Sequence, residues 1–186
     1  MSLVSLWLPI LVSAVFVFFA SSLLHMVLPL HKKDYRGFDH EDEVRSALRK
    51  GISGPGHYIL PYAPSNAEAS TPEMKAKFEE GPVVMANVLP AGGFNMGKTL
   101  GTWFLFCVVS GFFVAYVASF TVNVGSDYLR VFRVAGTVAF CIYALGEPIQ
   151  SIWRGQPWSN TFRSCFDGLV YALLTGGVFG WLWPSA

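Results

Sequence analysis

Charge is what this sequence has least of. Only 13% of its 186 residues are Asp, Glu, Lys or Arg, where a soluble domain carries roughly 25%. With 53% hydrophobic residues, a soluble core of this size has no room to hide so much apolar surface. A formal net charge of +1 removes any whole-chain argument for a nucleic-acid partner. Cysteine is scarce too: Cys107, Cys141 and Cys165 all lie in apolar stretches, where a thiol behaves as a small hydrophobe and says nothing of redox compartment. No Cys or His pair has the spacing of a known metal motif, so neither a metal nor a cofactor is expected. The N-terminus lacks the basic flank of a signal peptide, and its apolar run outlasts a leader core of about 7–15 residues. It is therefore read as a retained span.

Long apolar runs are what the chain does have. They extend over Leu3–Leu28, Thr99–Val122, Val131–Ile149 and Phe162–Trp183, each close to the ~20 residues needed to cross the hydrocarbon of a bilayer. The third is the weakest, interrupted by Arg133, Glu147 and Pro148; the fourth ends on a Trp181–Leu182–Trp183 cluster suited to the headgroup interface. The expected fold is an all-α polytopic membrane protein with four transmembrane helices and a small α/β cytoplasmic insert between the first two. Span one occupies residues 1–30, the insert 31–96, and spans two to four 97–186. Of the 13 Lys and Arg, all but Arg130 and Arg133 fall on the insert side. The positive-inside rule then puts the insert in the cytoplasm and both termini outside, in what is read as a bacterial inner membrane.

Within the insert, Glu41–Lys50 reads as a helix capped by Asp39 and stopped at Gly51. Pro72–Glu80 reads as a second, with Ser70 and Glu73 at capping-box spacing. His57–Leu60 and Val83–Leu89 are extended runs able to pair as strands.

Several motifs invite chemistry. Gly92–Thr99 fits the phosphate-loop pattern G-x-x-x-x-G-K-[ST], but a membrane span follows it and no parallel sheet or metal-binding acid is at hand. Lys98 is better placed to touch a lipid phosphate at headgroup level. His25, Glu147 and Asp167 are ionisable residues near the cytoplasmic ends of spans one, three and four; with Arg154 and Arg163 they are expected to form an interfacial polar cluster. His31 and His40 read as surface or interface residues, and His57 as part of a turn. Ser164, Gly168, Ala172, Gly176 and Gly180 recur every four residues in span four, and Gly111, Ala115 and Ser119 repeat the device in span two. Such seams let helices approach closely in lipid, here span four on span two or on a partner's helix. Bulky Phe166, Leu169, Leu173 and Phe179 lie opposite the span-four seam.

These features point first to a non-catalytic accessory or structural subunit of a larger membrane assembly. Its partners would be membrane lipid and other transmembrane subunits. A small transporter or channel with the ionisable cluster at its cytoplasmic mouth is the alternative. A lipid-interface enzyme using His57 with Lys98 or Asp167 is the third.

Overall fold

A computed structural model describes residues 2–92 and 95–185. Two compact units emerge, one of Met1–Tyr35 with Asn95–Ala186 and one of Arg36–Phe94.

The first unit is helical. Helix α1 (Trp7–Ser22) is preceded by a 3₁₀ turn, Leu3–Leu6, and continued by a π turn, Leu23–Val27. Helices α5 (Met96–Thr121), α6 (Tyr128–Tyr143), α7 (Pro148–Arg154) and α8 (Trp158–Trp181) follow the second unit. Three segments are long and apolar enough to cross a membrane: Leu3–Val27, Met96–Thr121 and Tyr128–Arg154. Helix α8 has the length but falls short in apolarity, because Ser159, Asn160, Arg163, Ser164 and Asp167 occupy its first half. The expectation of four spans is thus met in three, and the shortfall lies in the fourth run rather than in the weakly apolar third.

The four long helices form a ring in which α5 packs on α1 and α6, and α8 on α6 and α1. Its interior is rich in small side chains: Ser13, Ala14, Ser110, Ala115, Ala118, Ala135, Ala139 and Ala172 are buried alongside Leu6, Val17, Val114 and Val131. Phe16, Phe19, Leu105, Phe113, Phe120, Leu169 and Leu173 are exposed on the outside. That inversion suits lipid, where close backbone approach, not expulsion of water, joins helices.

The small-residue seam of α8 faces α6, not α5. A Cβ on Gly176 would come within 3.0 Å of the Gly136 Cα and the Phe132 carbonyl, and one on Gly168 within 2.7 Å of the Tyr143 carbonyl. Gly180 lies against the Tyr128 ring, while Gly111 of α5 rests on Ile10 and Ser13 of α1. Each seam therefore serves the neighbour next to it in the ring. Phe179, expected on the outer face, is fully buried in the core with Val114, Ala118, Val131 and Trp183. Beside so many alanines, one large ring is needed to fill the volume.

Helix α6 breaks at Ala144–Glu147 before Pro148 opens α7. Cys165 of α8 donates its thiol to the Ala144 carbonyl at 3.6 Å, which also accepts the Glu147 N–H at 3.1 Å. The corner between α7 and α8 is tied by a 2.6 Å Ser151–Thr161 hydroxyl pair.

The second unit holds α2 (Glu41–Gly51), β1 (Gly56–Leu60), α3 (Asn66–Ala69), α4 (Pro72–Glu80) and β2 (Val84–Val88). The strands pair antiparallel, with Gly56 opposite Val88 and Leu60 opposite Val84. Two caps differ from expectation by one residue. His40, in the left-handed region at φ 55°, precedes α2 in place of Asp39. Thr71 caps α4 by accepting from the Met74 N–H, because Pro72 takes the first helical position and moves the start past Ser70.

Candidate metal centre

At one end of the helical unit, three metal-capable side chains converge. His25 sits in the π turn that ends the first span, His31 in a 3₁₀ turn (Pro29–His31), and Asp167 on α8. The π turn widens the helix, and such turns commonly mark functional positions. Asp167 Oδ2 lies 3.3 Å from His25 Nε2 and 2.8 Å from His31 Nε2. One donor atom from each of the three residues falls within 4.8 Å of the others. The two imidazoles stack with ring centroids 4.2 Å apart. Asp167 is 5% exposed and His31 13%, whereas His25 is about half open at 49%.

Asp34 holds this arrangement from behind. Its Oδ2 lies 2.6 Å from His31 Nδ1. Arg163 reaches Asp34 Oδ1 through Nε at 2.7 Å and Nη2 at 2.6 Å. Asn160 donates to the Asp34 carbonyl at 3.1 Å and accepts from Arg163 at 2.7 Å. Burial alone pushes the Asp34 carboxyl up, but hydrogen bonds from His31 and Arg163 outweigh it and hold it below the usual carboxylate range. A carboxylate on Nδ1 keeps the proton there and leaves the Nε2 lone pair for a metal, the usual backing of a metal-bound histidine.

Asp167 pairs with both imidazoles through Oδ2 and leaves its other carboxylate oxygen unengaged. His31 Nε2 is close to the carboxylate yet has no hydrogen-bond partner, and Asp167 Oδ1 is also buried without one. Atoms that approach to such distances without a hydrogen-bond line are placed as ligands of one ion are placed. Donors about 2.0–2.2 Å from a common metal stand roughly 3 Å apart. Two imidazoles and a carboxylate suit a divalent ion of the iron-to-zinc range better than magnesium or calcium, which take oxygen donors.

Of the polar cluster expected from sequence, His25, Asp167 and Arg163 come together, Arg163 by way of Asp34. Glu147 stands at the start of α7, and Arg154 donates to Gln150 at 3.3 Å; neither joins the centre, because the break after α6 sets their segment apart. Of the two histidines read as surface or interface residues, His31 is turned inward and His40 is exposed. Sequence reasoning also passed over Asp34 and Asn160. The density of His25, His31 and Asp34 within ten residues after an apolar run was the available signal. The third candidate ligand lies beyond the insert and three further helices, outside the reach of any spacing rule. Lys98 is exposed, and Asn95 Oδ1 accepts its N–H at 3.0 Å, so the cap occupies one helix-start donor that a phosphate would use. Gly93 and Phe94 of the phosphate-loop pattern lie outside the described residues. His57 stands on β1 opposite Asn87 rather than in a turn.

No known protein family, curated protein or solved structure matches this chain. The reading of the centre rests on its own geometry.

Proposed function

We propose that this protein is a four-span inner-membrane metalloprotein that binds one divalent transition-metal ion through His25, His31 and Asp167. The carrying observation is the convergence of those donors with Asp34 behind His31 and with Nε2 and Oδ1 left unpartnered. An interfacial polar knot satisfied by its own ion pairs, the simpler reading of these residues, would not leave Asp167 Oδ1 buried and unmet.

Helix α8 counts as the fourth span in this proposal because its second half, from Gly168 on, is free of charge and packs along α6. The basic insert then faces the cytoplasm, and the centre lies near the cytoplasmic headgroups.

The reading departs from a non-catalytic accessory subunit. The seam glycines that motivated a docking face are engaged by neighbouring helices of the same chain, so they no longer speak for a partner. It departs from a channel as well. Buried Ser13, Ser110, Ser119 and Thr175 turn their hydroxyls back onto carbonyls of their own helices, which supports a site that holds an ion rather than passes it on.

The test is elemental analysis of the full-length protein purified in mild detergent, then titration with Zn²⁺ or Co²⁺ against a chromophoric chelator. About one ion per chain is expected, with loss of binding in Asp167→Ala and His31→Ala variants that keep their helical circular dichroism. Wild-type protein that takes up neither ion at micromolar concentration sinks the proposal.

A further inference from the structure

Asp167 meets the two imidazoles through Oδ2 alone. Its Oδ1 is buried without a partner, and so is the phenol oxygen of Tyr171. Orphaned buried polar atoms are costly, so two on neighbouring turns of one helix ask for a shared cause. Asp167 and Tyr171 stand at i and i+4 on α8, and helical side chains lean toward the N-terminus. The phenol is thereby carried back over the turn that bears the carboxylate. It is not free to swing away: the Tyr171 ring is 5% exposed and packs on Tyr143 at 5.5 Å and Trp103 at 5.9 Å between centroids.

The surrounding polar groups do not supply a fourth ligand. Among the described residues, the donor cluster contains His25, His31 and Asp167; Asp34 is committed to His31 Nδ1 and Arg163. Structural zinc sites are closed by four protein ligands, whereas catalytic ones offer three and keep a position for water or substrate.

Building on the metal-centre reading, we propose that the metal carries an exchangeable non-protein ligand on its inner side, between Asp167 Oδ1 and the Tyr171 hydroxyl. At rest this ligand is water, and a small anion replaces it. The Tyr171 O–H donates a hydrogen bond to the bound anion, and Asp167 Oδ1 accepts from the bound water. Tyr171 is thus a positioning residue for the exogenous ligand and not a metal ligand. The centre is of the open type, able to polarise a small molecule.

The probe is azide added to Co²⁺-loaded full-length protein in detergent, followed by visible absorption. Saturable one-to-one azide binding that alters the cobalt bands is expected. Tyr171→Phe should take up Co²⁺ as tightly as wild type while binding azide about tenfold more weakly, the loss of one hydrogen bond to a charged group. Cobalt bands indifferent to azide overturn the open position, and a Tyr171→Phe azide affinity equal to wild type overturns the role of the phenol. Failure to take up Co²⁺ at all instead overturns the metal-centre reading on which both rest.

Discussion

Asp34 does at residue scale what the two histidines cannot do alone. It fixes the tautomer and orientation of His31, and Arg163 and Asn160 fasten it to α8. Replacing it by Asn keeps the shape but removes the charge that makes Nε2 a good ligand. Asp34→Asn should weaken Zn²⁺ or Co²⁺ binding about 10–100-fold, as read by chelator competition. The same residue sets an acid limit on the metal-free protein. Its carboxyl is held below the ordinary value in the folded state, so its stabilising contribution is complete above the unfolded-state pKa and disappears as pH falls through the folded one. Thermal melts of metal-free protein from about pH 7 to about pH 3 should show a shallower acid decline in Asp34→Asn than in wild type. Parallel declines would mean that the Asp34 tether adds nothing to folding.

At the scale of the element, the α6–α8 contact depends on glycine for lack of space. Gly176 faces backbone on both sides of its approach, the Gly136 Cα and the Phe132 carbonyl at 3.0 Å, so neither neighbour yields by rotating a side chain. Gly176→Ala should destabilise the detergent-solubilised protein by about 1–3 kcal/mol, the usual cost of overpacking, seen as a lower Tm. Gly101 of α5 meets nothing within 4 Å. Gly101→Ala should leave Tm unchanged or raise it slightly, since alanine is favoured over glycine inside a helix by roughly 0.5–1 kcal/mol. Equal effects at the two positions would show that the seam is not a tight contact. Periodicity revealed the small residues on one face of α8 but not their partner. The spacing of a seam describes one helix surface, and the choice of α6 over α5 depends on how four helices close into a ring.

At the scale of the whole molecule, orientation has a direct test. A single cysteine placed at Lys77 in an otherwise cysteine-free chain should resist a membrane-impermeant maleimide in intact cells and react once the membrane is opened; labelling in intact cells would put the insert outside. The apolar runs, the helix and strand segments of the insert and the seam on α8 were all readable from the chain, because hydropathy, capping and side-chain periodicity act over a few residues at a time. The inward turn of His31 and the burial of Phe179 were not. They follow from what each segment packs against. The centre depends most on that. Its candidate ligands come from the π turn after α1, the 3₁₀ turn that opens at Pro29 and the third turn of α8. Composition by itself determined that these segments lie at the edge of an apolar bundle. Only the packing of α8 against α1 decided that two imidazoles and a carboxylate meet, because contact between residues so far apart in sequence is set by helix geometry and not by spacing along the chain.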